Sequence, residues 1–143
     1  MIGILIALLS GALMSIQGIF NTGLTKSSSM WLANSWVQFS AFLVCMIAWI
    51  SCDRKSFVSL FQMQPKYMLL GGVIGAFITY TVIKSMSMLG PAKAVMIILV
   101  AQLLVAYLTE LFGMFGVEKV TFEWKRLFGM LICIAGILIF KWD

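Results

Sequence analysis

Histidine is absent from this sequence, and charge of either sign is scarce: only 10% of the residues are Asp, Glu, Lys or Arg. The missing histidine excludes histidine-bound metal sites, histidine proton relays and histidine-dependent triads. The three cysteines, Cys45, Cys52 and Cys133, are spaced for neither a metal site nor a disulfide framework. No GxxxxGKS/T, GxGxxG or GxSxG occurs, so nucleotide-binding and nucleophile-elbow signatures are missing as well. Glu110 is the only acid placed where an active-site constellation could form, and it has no catalytic companion. The residues therefore point away from an enzyme, with no catalytic residue, no metal site and no cofactor expected.

What fills the chain instead is apolar: 62% of its 143 residues are hydrophobic. A soluble domain carries about 25% charged residues, so the composition is that of an integral, all-α membrane protein. The length allows a single transmembrane domain, 1–143, crossing a bilayer at about 20 residues per span. Five spans are expected, over about 2–23, 30–52, 67–83, 92–115 and 123–140. Positions 2–20 are apolar for too long to be a signal peptide and have no cation before them, so they read as a retained first span. Ten Lys+Arg against five Asp+Glu looks basic. Those cations sit at span ends, where anchoring to the lipid surface is the default reading, and no nucleic-acid partner is implied.

The sparse polar residues inside the spans are the candidate site. Glu110 lies in the fourth span, in AQLLVAYLTELFGMFG (101–116). A carboxylate at such depth costs about 2.5–3.5 kcal/mol on insertion scales and normally faces a bundle interior or a wet cavity. Gln102 lies eight residues earlier and is expected on nearly the same side. Gly113 and Gly116 allow a break where the span ends. Gln17 and Asn21 form an i,i+4 amide pair near the end of the first span, and Asn34 and Gln38 another near the start of the second. A short link, Thr25 to Ser29, joins those spans, so the four amides lie at similar depth and could form one polar cluster. Two readings stand side by side: interhelical hydrogen bonds worth around 0.6 kcal/mol each, or the polar wall of a solute path. Trp31 and Trp36 read as interfacial belt residues. The loop 53–66 is weakly amphipathic through Phe57, Leu60 and Phe61, and is expected at the membrane surface. The end of the chain, Lys141-Trp142-Asp143, is expected at the interface.

Five spans put the termini on opposite sides. The loops on the N-terminal side carry Arg54, Lys55, Lys66, Lys119, Lys125 and Arg126; the other side carries Lys26, Lys84, Lys93 and Lys141. Six against four is a weak bias under the positive-inside rule, so dual topology is expected to be open to this chain. Two oppositely inserted copies would make a ten-helix inverted-repeat dimer. In such a pair Glu110 of one copy and Lys84 of the other would share a depth and could form a salt bridge.

The segments ALMSIQGIFNTGL (12–24), NSWVQFSAFLV (34–44), AQLLVAYLTELFGMFGVE (101–118) and RLFGMLICIAGILI (126–139) together resemble the YdcZ-like family of small five-span proteins (domain of unknown function 606), within the drug/metabolite transporter superfamily. The matched positions are Gln17, Asn21, Gln102, Glu110 (where Asp is common), Phe112, Gly113, Gly116, Leu127 and Gly129. Ala101 and Ala41 stand where the family often has glycine or another small packing residue. The resemblance implies a multi-pass protein of the cell inner membrane that transports small molecules. It also implies work as a dual-topology homodimer, as oppositely oriented partners or as a fused repeat.

The functional expectation is an exporter of a small organic solute that works as an antiparallel dimer, with Glu110 as a proton- or cation-coupled carboxylate. Glu110, Gln102, Gln17, Asn21, Asn34 and Gln38 are the expected substrate- or ion-binding residues. The alternatives are a passive pore, against which the sparse amides argue, and an accessory half-subunit of a heterodimeric transporter.

Overall fold

Serine, proline and glycine mark several of the helix ends. The computed structural model describes residues 1–141, so Trp142 and Asp143 lie outside the described residues. It contains α1 (Ile2–Lys26), α2 (Met30–Ala48), α3 (Val58–Gln62), α4 (Gly71–Leu89), α5 (Pro91–Phe112) and α6 (Trp124–Lys141). The hydroxyl of Ser29 accepts the Leu32 N–H at 3.2 Å and starts α2. Pro91 opens α5 at a position where the backbone N–H has no helical partner anyway. Gly113 closes it in the left-handed region (φ 63°), and its N–H turns back to the Glu110 carbonyl at 3.3 Å. The expected fourth span, 92–115, therefore stops at Phe112.

Four helical runs are long and apolar enough to cross a membrane: Ile2–Lys26, Met30–Asp53, Lys66–Leu89 and Pro91–Phe112. The second continues α2 through a π-helical turn, Trp49–Asp53, and the third reaches α4 through a 3-10 turn, Lys66–Leu70. At 1.5 Å per residue these runs are about 33–38 Å long, against a hydrocarbon core of about 30 Å. α6 differs. Lys125 and Arg126 occupy its first turn and Lys141 its end, which leaves residues 127–140 as the uncharged run. That run is about 21 Å long, so α6 lacks the uncharged length of the other four. The loop expected at the membrane surface holds only the single turn of α3, with Phe57, Leu60 and Phe61 exposed.

The chain forms two compact units, Met1–Met88 and Leu89–Asp143. In the first, most large apolar side chains of the long helices are exposed, Leu8, Phe20, Leu32 and Phe77 among them. The buried positions are Gly18, Asn21, Ala33, Asn34, Ile83 and Met86. Small and polar residues inside with large apolar ones outside is the arrangement that lipid favours, because lipid tails are as apolar as leucine and give helices no hydrophobic reason to associate.

α1 meets α4 closely at Gly18. A Cβ on Gly18 would stand 2.5 Å from Met86 Cε and 2.6 Å from its Sδ. Both atoms belong to the flexible end of a methionine, which can yield to a methyl but not to a branched chain. We predict that Gly18→Ala leaves thermal unfolding in detergent nearly unchanged. Gly18→Leu should lower stability by about 1–3 kcal/mol, with part of the loss restored by Met86→Ala.

Candidate functional site

Hydroxyls and amides behave differently in the spans, and that difference places the polar residues. A serine or threonine can bond the carbonyl one turn back on its own helix. Ser10 does so to Ile6, Ser15 to Gly11, Thr22 to Gly18 and Thr81 to Phe77, at 2.7–3.1 Å. An asparagine or glutamine brings two donors and an acceptor that no such bond satisfies. In the first unit the amides of α2 accordingly reach α4. Asn34 Nδ2 donates to the Ala76 carbonyl at 3.0 Å, and Gln38 Nε2 donates to the Thr79 hydroxyl at 3.1 Å. Thr79 passes its own proton to the Gly75 carbonyl at 3.0 Å. Trp31, read first as a belt residue with stacking on an organic cation as the second reading, stacks on Tyr80 with ring centroids 4.8 Å apart.

The expected convergence of four amides does not form. Asn34 and Gln38 are drawn to α4, Asn21 is buried at 9% exposure, and Gln17 is exposed. No hydrogen bond among the described residues joins the two pairs. A shared depth is not a shared direction, and α4 supplies the nearer acceptors. Asn34 is 3% exposed, and its Oδ1 accepts no hydrogen bond among the described residues.

In the second unit α5 and α6 face each other across an open groove of about 410 Å³. Each helix lines it with the same spacing: Leu103, Ala106, Tyr107 and Glu110 from α5, and Arg126, Gly129, Met130 and Cys133 from α6. This i, i+3, i+4, i+7 pattern is one helix face. The walls are apolar, and the charge sits at one end. There Arg126 Nη1 meets Glu110 Oε2 at 2.8 Å, each side chain 40% exposed. The distance is that of a charge-assisted hydrogen bond. On its other side Arg126 Nε lies 3.5 Å from Glu123 Oε2.

Two further bonds hold this end. The Val120 N–H donates to the Glu110 carbonyl at 3.0 Å, folding the loop back over the end of α5. The Glu123 N–H donates to the Tyr107 hydroxyl at 3.4 Å. A Cβ at Gly113 would press on Lys119 Cβ at 3.2 Å, so the returning loop and the left-handed backbone both select glycine there.

Gln102 is exposed and lies outside the groove lining, because eight residues rotate a helix about 80° past two full turns. Lys84 is exposed on α4, while Glu110 already has a partner within its own chain. The residue that the sequence reading missed is Arg126. Its signal was there: a cation at the start of the next helix, just beyond a glycine-broken turn, is carried back beside the end of α5 by a helical hairpin.

The chain thus combines several apolar helices with a small ion-pair cluster at the mouth of an apolar groove. The family described as "Putative inner membrane exporter, YdcZ" matches residues 2–139, and the chain belongs to that family. It is a multi-pass protein of the inner membrane. No curated protein and no solved structure matches it.

Asn34 offers a way to separate packing from function. Leucine at this position removes a buried oxygen that has no partner, which offsets the loss of the donor to the Ala76 carbonyl. We predict that Asn34→Leu keeps the thermal midpoint in detergent within a few degrees or raises it, while solute export falls. Loss of folded protein would mean that the amide is structural.

Proposed function

We propose that the protein exports a small organic solute across the inner membrane and that Glu110 is its coupling carboxylate. Family membership supports the export of a solute. The observation that carries the role of Glu110 is its placement: it stands half-exposed at the end of an apolar groove, held by a guanidinium and not locked in a core. An ion pair with that much exposure is worth about 0–1 kcal/mol, weak enough to open in each cycle. Protonation of Glu110 removes its attraction for Arg126; deprotonation restores it. A proton and a solute that both need the carboxylate cannot hold it together, and that exclusion couples their fluxes.

The working assembly in this proposal is an antiparallel dimer, a homodimer or a pair with an oppositely oriented homologue, with α6 as the fifth span of each copy. The six-to-four distribution of cations supports dual insertion. The cations of α6 can reach the interface on long stems, which allows a short apolar run to cross. The apolar walls of the groove argue against a passive aqueous pore.

The test uses inverted membrane vesicles incubated with a cell metabolite extract, with accumulated solutes read by mass spectrometry. Wild-type vesicles should accumulate a small set of solutes only when a pH gradient is imposed. Glu110→Gln should abolish that dependence. Gradient-dependent accumulation that survives in Glu110→Gln would overturn the coupling role.

A further inference from the structure

At the groove mouth the direct ion pairs are shared unevenly. Glu110 and Glu123 share one guanidinium, Arg126, which holds the first through Nη1 at 2.8 Å and the second through Nε at 3.5 Å. Lys119 and Lys125 make no ion pair with either carboxylate among the described residues and do not line the groove. Within ion-pair distance, two carboxylates share one cation.

We propose that the ligand brings a second cation: the groove takes an organic amine in its ammonium form, with an apolar body. Glu110 is its counter-ion, and Arg126 is an internal placeholder that passes to Glu123 when the amine arrives. The proposal rests on the exporter reading above and adds to it the substrate class.

Charge accounting separates three kinds of ligand. An ammonium on Glu110 leaves Arg126 with Glu123, so that two cations face two carboxylates and none is stranded. A carboxylate ligand would have to draw Arg126 away from Glu110, leaving three anions around one guanidinium; like charges at such range are costly. A neutral ligand gains nothing from Glu110 unless the ion pair opens, and then leaves both partners worse satisfied. The body of the ligand fits the walls, because Leu103, Ala106 and Met130 offer apolar surface and no further charge. The backbone that carries the second carboxylate is tied to α5, because the Glu123 N–H donates to the Tyr107 hydroxyl, and its carboxylate lies within 3.5 Å of Arg126 Nε.

The test is a matched series on the purified full-length protein in lipid nanodiscs: benzylammonium, benzyl alcohol and benzoate, with binding read by calorimetry. Benzylammonium should bind roughly tenfold more tightly than either of the others. Glu110→Gln should remove that preference. Arg126→Gln should tighten benzylammonium, because the internal competitor is gone, and an unfolded variant cannot produce a gain. Glu123→Gln should weaken it, because Arg126 then has no second partner; this arm carries the test if Arg126→Gln does not fold. Equal binding of the three probes, or weaker benzylammonium binding by folded Arg126→Gln, would overturn the proposal. If the probes bind equally while vesicle accumulation still needs Glu110, the substrate class is wrong and the exporter reading stands. If benzylammonium is preferred and no accumulation depends on Glu110, the ligand class stands and the coupling role falls.

Discussion

A carboxylate at the end of an apolar helix needs a cation, and the contact between Glu110 and Arg126 meets that need within one hairpin. Much of the second unit follows from it. Gly113 turns the chain in the left-handed region so that the loop can come back; Val120 bonds the Glu110 carbonyl; α6 then starts with Arg126 in reach of Glu110. The same arrangement opens the groove. Two helices pinned at one end by long side chains, and lined below by Ala106 and Gly129, leave space between their facing stripes. The pair that joins the two ends of the hairpin is also the charged end of the groove, the pair that the proposed coupling would open.

The first unit answers the same lipid environment with neutral groups. Its hydroxyls bond their own helices and its amides bond across helices, which ties α2 to α4 without placing a charge in the bilayer. Glycine, alanine and asparagine take four of its six buried positions, beside Ile83 and Met86. Gly18 against Met86 shows how close that packing is.

The class of fold was legible because composition alone decides it: so little charge in so long an apolar chain leaves few options but membrane helices. Helix ends were legible where glycine, proline or serine marked them, at Ser29, Pro91 and Gly113. Glu110 stood out because a lone acid in an apolar run is costly. Partnerships were harder to read. Asn34 and Gln38 looked like companions of Gln17 and Asn21, because a short loop fixes depth; rotation about the helix axis sent them to α4 instead. Gln102 was displaced for the same reason, since the residual rotation over eight residues takes it out of the groove. Arg126 was counted only as a topology signal, because a cation at a span end is usually an anchor. The glycine-broken turn signals a hairpin, but the side-chain contact with Glu110 is fixed only by how the two helices pack.

The most direct measurement is a solid-state NMR distance between the Glu110 side-chain carboxyl carbon and the Arg126 guanidinium nitrogens, in bilayers. Glu110, Glu118 and Glu123 are the chain's glutamates, and Arg54 and Arg126 its arginines, so selective labelling of the two residue types leaves few signals. Glu110→Gln assigns the carboxyl resonance. The account predicts strong carbon–nitrogen recoupling of that resonance, lost in Arg126→Lys and kept in Arg54→Lys. A Glu110 resonance that shows no recoupling to arginine would contradict it.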